Sequence, residues 1–261
     1  VVYDAALAHA LAFDGPSSEE VVGAVLQVGG LVAAATDGET FGHHQRGADE
    51  MLARLLTVDA PAAGIALPRL LDVIDQQAVK PEVGVRVSSW SCVHGVQRWM
   101  TDCGCQTGGE PGWTQAWRGP LRHALDLLRD WGVDVVDQLG AELLRDPWAA
   151  RDDYLSVRIG ARAWDHFAAE HVVGSEHEAG VLLEAQRNAL LMYTSCGWFF
   201  NDLAGIETVQ ILRYAARAID LYEQLSQVPP VDAFLDVLGE ARFNDAAGDG
   251  RHLWFDQVLP R

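Results

Sequence analysis

Gly30-Leu31-Val32-Ala33-Ala34-Ala35-Thr36 runs without a break into Asp37-Gly38-Glu39-Thr40-Phe41-Gly42-His43-His44. The first stretch reads as a buried strand. The second places two carboxylates and two histidines just past that strand's C-terminal end. In barrels of parallel strands, this end gathers the βα loops that carry chemistry. Gly38 and Gly42 let the backbone turn tightly and admit a ligand closely. The same letters also make an ordinary turn, and a string this short is not specific by itself.

Outward from this stretch, the N-terminal part is short and mixed. Val1-Val2-Tyr3 reads as a strand, and Ala5–Phe13 as an alanine-rich helix or loop. Ser17-Ser18-Glu19-Glu20 is a helix start, with a serine cap and acids in the first turn that complement the exposed N–H groups. That helix runs to Val28. Beyond the histidines a helix spans Arg46–Leu56, and Glu82–Val87 alternates with Val83, Val85 and Val87 on one face, as a further strand would. The order β-α-β-motif-α predicts parallel strands.

The C-terminal part is helical. Leu121, Ala124, Leu125 and Leu128 recur at helical spacing, as do Val136, Leu139, Leu143 and Leu144. Asp146-Pro147-Trp148 is a helix restart, the Asp capping and the Pro in the first turn. Ser175–Met192 and Ile206–Leu225 are further helices, the second expected to be the longest. Val228-Pro229-Pro230 ends it, and a weaker helix covers Val231–Ala241. Together they predict an antiparallel helical assembly of about six helices. The fold class expected is therefore α/β leading into mostly α.

Composition narrows the function. The net charge is −18, and only one lysine, Lys80, is present. Phosphate would be repelled, which excludes nucleic acid as a partner. No run of 18 apolar residues exists to form a membrane span. The four cysteines are no secreted disulfide scaffold in 261 residues. They fit a reducing, cytoplasmic setting. The chain begins inside what reads as a strand, so residues are expected upstream of Val1.

Between the two parts lies Ser88-Ser89-Trp90-Ser91-Cys92-Val93-His94-Gly95-Val96-Gln97-Arg98-Trp99. It continues through Asp102-Cys103-Gly104-Cys105 and Gly108-Gly109-Glu110-Pro111-Gly112-Trp113 to Trp117. Long loops inside compact domains are usually functional. Their tryptophans can stack on sugar faces, while the acidic charge argues against bases. Cys92, His94, Cys103 and Cys105 make a chemically sound Cys₃His zinc set, but C-x-C is tighter than the usual ligand pairs. The alternative is buried thiols with His94 as a hydrogen-bonded pocket histidine. Tyr193-Thr194-Ser195-Cys196-Gly197-Trp198-Phe199-Phe200-Asn201-Asp202 reads either as a helix broken at a site or as aromatic core packing.

Together these strings resemble the family 57 glycoside hydrolases. Asp37-x-Glu39-Thr40-Phe41-Gly42-x-His44 resembles the fourth signature region, where the first Asp is the general acid/base. Ser89-Trp90 through Trp99 is similar to the S-W-G-x-G-x-x-x-x-W stretch of branching-enzyme-type members. Leu190 through Trp198 resembles their L-L-x-x-Q-S-S-D-W region. The match is nearest to an uncharacterised bacterial subgroup with a C-terminal helical domain of unknown function. Its members carry S-S-W-S-C-x-H-G-V-x-R-W, D-C-G-C, G-W-x-Q-x-W-R and M-Y-T-S-C-G-W-F-F, all of which stand here. The resemblance covers nearly the whole chain.

The resemblance implies a retaining glycoside hydrolase or glucanotransferase acting on α-glucans. Residues 1–87 would be the C-terminal strands of a distorted (β/α)₇ barrel. Residues 88–261 would be the Trp/Cys-rich loop and a helical domain closing over the barrel mouth. Asp37 would be the acid/base, and Glu39 and His44 would hold its loop and contact sugar hydroxyls. Trp90, His94, Trp99, Trp113 and Trp198 would contact an α-glucan or oligosaccharide. No metal and no cofactor is implied. The nucleophile, a glutamate on an earlier strand, falls outside this chain, so an N-terminal barrel segment or a partner chain would supply it. A binding protein that has lost catalysis, or a fragment of a split enzyme, is the alternative. His43 stands where the family usually has an acid, and Cys196-Gly197 replaces Ser-Asp before Trp198.

Overall fold

Short polar side chains set where the first helices begin. The Asp4 carboxylate accepts from the Leu7 N–H (2.8 Å) and opens α1 (Ala5–His9), which continues as a wider turn over Ala10–Asp14. Ser17 and Glu20 form a reciprocal capping box at the start of α2 (Ser18–Val28). The computed structural model describes residues 2–43, 45–76, 84, 86–89, 91–245 and 247–259. The chain divides into two compact units, Val1–Gly84 and Val85–Arg261, and it is mostly helical.

In the first unit, β1 (Val2–Tyr3) pairs in parallel with β2 (Val32–Ala33), Val2 opposite Val32 and Tyr3 opposite Ala33. With α1 and α2 between them, this is the β-α-β order read from the sequence. The expected strand over residues 30–36 is shorter than its apolar run. Gly29 and Gly30 take φ of +69° and +67° and break the extended backbone on one side. On the other, Ala34 and Ala35 are exposed, with too little side chain to bury. Among the described residues this pair is the whole sheet. Of the strand expected over Glu82–Val87, Glu82, Val83 and Val85 lie outside the described residues, while Gly84, Arg86 and Val87 are described and stand in no strand.

The unit continues through α3 (Ala48–Arg54), a wider turn over Leu55–Asp59, α4 (Ala60–Ala62) and α5 (Leu70–Gln76). Leu7, Leu11, Val21, Leu55 and Ala60 form its small core. Arg54 braces the surface, bonding Asp59 (2.8 Å) and Glu19 (2.9 Å).

The second unit is built on α6 (Arg118–Leu143), a single helix of 26 residues. The two periodic leucine runs read from the sequence therefore belong to one element, and it, not Ile206–Leu225, is the longest. Of its three glycines, Gly119 sits in the first turn, and the two in the interior do not break it because each serves a close approach. A Cβ at Gly140 would lie 2.9 Å from Pro147 of the next helix, and one at Gly132 would lie 2.6 Å from the Tyr222 hydroxyl. Asp146 caps α7 (Pro147–Arg158) as expected, accepting from the Trp148 and Ala149 N–H groups. The sequence reading missed α8 (Trp164–His171), too short to show a period.

Next come α9 (Glu176–Leu191), α10 (Cys196–Phe199), α11 (Ile206–Gln224), α12 (Val231–Leu238) and α13 (Gly250–Leu253). The chief packing is α9 on α11, α12 on α6 and α6 on α9. Two clusters fill the interior. Leu121, Leu125, Trp198, Ile211, Leu212 and Phe234 centre one, and Val136, Phe167, Leu182, Leu183 and Tyr222 the other. At the crossing of α6, α9 and α11, buried Gln186 donates to the Tyr222 hydroxyl (2.6 Å) and to the Gly132 carbonyl (3.3 Å). Burial pushes the Tyr222 phenol up to about 12, so it stays a neutral partner. No helix among the described residues is long and apolar enough to cross a membrane.

Glycine substitutions separate close packing from mere backbone freedom. Gly132→Ala should lower unfolding stability by about 1–3 kcal/mol, because the new methyl group drives against Tyr222 and splits the buried bridge. Gly23→Ala, inside α2 with nothing within 4 Å of the added methyl, should raise it by about 0.5–1 kcal/mol. Urea denaturation of both variants checks the opposite signs.

Candidate functional site

The residues singled out from the sequence fall into both units. In the first, Asp37 and Glu39 are exposed on the turn that follows β2. The Asp37 carbonyl accepts the Thr40 N–H (3.1 Å), and the Glu39 carbonyl accepts the His43 N–H (3.2 Å). Thr40 is buried beneath them. Gln45 fastens the far side of the turn. Its amide donates to the Ala12 carbonyl (2.7 Å) and to that of Leu11 (3.3 Å), while its N–H bonds Thr40 (3.3 Å). The turn is thus anchored from below and leaves the Asp37 carboxylate facing solvent. His44 lies outside the described residues.

In the second unit, two stretches singled out separately come together. The Trp99 indole N–H donates to the Ser195 carbonyl (3.0 Å). Asn201 accepts the Thr107 N–H (3.0 Å), and Asn244 holds Thr114 from both sides, with bonds of 2.9 Å. The Gly-rich loop is therefore bracketed onto the segment around α10. Trp99 and Trp113 are half-buried, Trp113 lying against Gly109, whose φ is +121°. Trp90 lies outside the described residues.

Trp198 corrects an expectation. It is fully buried, donates its indole N–H to the Arg118 carbonyl (3.3 Å) and stacks parallel to Tyr193 at 6.2 Å. Packed between α6 and α11, it has no face to offer a sugar. Gly197 beside it allows this, since a Cβ there would meet Ile211 at 2.5 Å. For Trp198, the core-packing reading of Tyr193–Asp202 holds.

The densest chemistry lies at Cys92, His94, Cys103 and Cys105, whose ligating atoms all lie within 4.8 Å of one another. The Cys92 and Cys103 sulfurs are 3.9 Å apart, and the Cys105 sulfur is 3.5 Å from His94 Nδ1. These are the four residues of the Cys₃His set weighed from the sequence. Two glycines make the short spacings workable. Gly95, at φ +82°, closes the Cys92 turn by donating to the Cys92 carbonyl (3.2 Å), and Gly104, at φ +79°, folds the chain between its two cysteines. Burial opposes ionisation of Cys92. The backbone N–H groups of Arg98 and His94, which donate to its sulfur, nevertheless hold it at about 7. Burial and the neighbouring Cys92 and Cys103 sulfurs push the Cys105 thiol up.

Two buried arginines back this cluster, and the sequence reading passed over both. Arg118, fully buried, donates to the carbonyls of Cys105 (2.8 Å), Phe200 (3.2 Å) and Phe199 (3.3 Å). Arg98 is buried with its guanidinium over the Phe199 ring at 4.4 Å. Both Nε atoms are buried without a hydrogen-bond partner. Burial, then the nearby Arg98 charge, draws the Arg118 guanidinium down to about 10. Their one sequence signal is that each adjoins a tryptophan, in Arg98-Trp99 and Trp117-Arg118. Arginine is ordinarily exposed, so this gave no reason to bury them.

One family model matches the chain, described as a domain of unknown function (DUF3536), over residues 113–261. No curated protein and no solved structure matches it. The match begins at Trp113 and takes in α6 through α13, more than half of the chain. The helical unit described above, from its first long helix onward, is therefore the matched region, and the chain belongs to the DUF3536 family.

Proposed function

We propose that this chain is the C-terminal part of a retaining glycoside hydrolase or glucanotransferase acting on α-glucans, with Asp37 as general acid/base. The observation that carries the reading is the place of Asp37. It stands exposed on an anchored turn at the C-terminal end of β2, within a parallel β-α-β unit. That is the end at which parallel (β/α) barrels put their chemistry. The resemblance of the Asp37–His44 string to a family 57 signature supplies the reaction class. The family matched over 113–261 lies where that resemblance expects a C-terminal helical domain. In this reading β1 and β2 are neighbouring strands of the distorted barrel, and the remaining strands and the nucleophilic glutamate come from outside this chain.

Retention requires two carboxyl groups about 5–5.5 Å apart. The nucleophile attacks the anomeric carbon while Asp37, protonated, gives its proton to the departing glycosidic oxygen. Asp37 then takes a proton from the incoming water or sugar hydroxyl as the covalent intermediate breaks down. By the resemblance, Glu39 and His44 are the residues assigned to the turn and to sugar hydroxyls, and Trp90, Trp99 and Trp113 are those assigned to stack on sugar rings. The reducing cytoplasmic setting belongs to this reading on the cysteine usage of the sequence alone.

In the full-length enzyme, Asp37→Asn should reduce turnover of maltooligosaccharides by about 10²–10⁴-fold, the usual worth of a general acid/base. A substrate whose leaving group needs no protonation should recover part of the rate. Undiminished maltooligosaccharide hydrolysis or transfer by the variant would sink the assignment. Tight binding of oligosaccharide with no turnover by the unmutated enzyme would replace it with a binding protein.

A further inference from the structure

We propose that Cys92, His94, Cys103 and Cys105 bind one zinc ion in a closed Cys₃His site that ties together the two turns of the Gly-rich loop lying against the head of the longest helix. This stands apart from the glycosidase reading, for it rests on residues of the second unit alone.

The spacing of the ligating atoms is the first ground. Zinc binds sulfur at about 2.3 Å and imidazole nitrogen at about 2.0–2.1 Å in tetrahedral geometry. Two sulfurs on one such ion are then about 3.8 Å apart, and a sulfur and a nitrogen about 3.5 Å. The distances here are 3.9 Å for Cys92 to Cys103 and 3.5 Å for Cys105 to His94. A disulfide between Cys92 and Cys103 would need its sulfurs near 2.05 Å, far closer than they lie. The four groups come from two turns eleven residues apart in sequence. Both turns depend on glycines in the left-handed region, Gly95 and Gly104.

Charge is the second ground, and it is independent of the first. Arg98 and Arg118 are buried with unpartnered Nε atoms, and the three hydrogen bonds of Arg118 all go to carbonyls. Buried cations need a nearby anion. A zinc ion with three thiolates and a neutral imidazole carries a net charge of −1, placed beside these guanidinium groups. Arg118 donates to the Cys105 carbonyl at 2.8 Å, which sets its guanidinium directly beside the cluster.

With four protein ligands no coordination position is left for water, so the ion is structural rather than catalytic. His94, expected to touch substrate, is instead a ligand through Nδ1. Binding releases the thiol protons to solvent and makes metal affinity part of folding free energy. The loop carrying Trp99 and Trp113 would then owe its fixed course to the ion.

The test is elemental analysis of the 261-residue chain purified under reducing conditions from zinc-supplemented medium. One zinc per chain is expected. Cys103→Ser and Cys105→Ser should each lower occupancy at least tenfold, whereas Cys196→Ser, exposed and outside the cluster, should leave it at one. To separate loss of metal from loss of fold in a ligand variant, the unmutated chain is also stripped with a chelator. Its melting temperature should fall and return on adding zinc, and cobalt in place of zinc should give the visible absorption of a tetrahedral thiolate site. Absence of stoichiometric metal with a melting temperature indifferent to chelation and zinc would overturn the proposal. So would a Cys92–Cys103 disulfide in the freshly isolated chain, or full occupancy in Cys103→Ser.

Discussion

A guanidinium buried at the head of the longest helix constrains everything around it. Arg118 is the first residue of α6 and is fully buried. That end of a helix already carries positive partial charge, and a second buried arginine lies close enough to repel it. An isolated buried cation is among the least favourable groups in a protein interior. The structure meets this with oriented carbonyls at Cys105, Phe199 and Phe200. Three elements distant in sequence must therefore hold their backbones at one point. The Gly-rich loop takes its course from that requirement as much as from apolar contact.

Away from that end, apolar packing takes over, and the polar exceptions are few and paired. Gln186, Tyr222 and the Gly132 carbonyl tie three helices together at a buried point where leucine would give no direction. The smallness of Gly132 is what admits the tyrosine. Gly197 plays the same part for Ile211 beside Trp198. Both glycines look like weaknesses in a helical sequence, and both are points where side chains from another helix come nearest.

The helices were legible because their signals are local. Leucine and alanine at three- and four-residue spacing, Ser17 with Glu20, and Asp146 with Pro147 each act within one or two turns; α2 and α7 begin where their caps said, whereas the two leucine runs proved to be one helix. The fate of Trp198 was not legible. An aromatic residue beside Gly197 has the same letters whether it faces a sugar or Ile211, and only the fold chooses. The Gly30–Thr36 run misled in the opposite way. Its hydrophobicity promised a full strand, but Gly29 and Gly30 turn left-handed and its one partner offers two paired positions. The Asp37 turn sits where the sequence put it, because the β-α-β order is itself a short-range pattern.

The cysteines show why spacing in sequence is a poor measure of reach. Two ligands one residue apart normally point to opposite sides of an extended chain, which is why C-x-C argued against a common ion. A left-handed residue between them reverses the chain and brings both side chains to one side. Gly104 supplies this at φ +79°, with open space where its Cβ would be. The residue is thus required for its backbone conformation and not for its size. The same logic applies to Gly95 after His94, where the turn closes back on the Cys92 carbonyl. The information that gathers the four groups resides in two glycines and in the buried arginines behind them, positions that a search for ligand letters passes over.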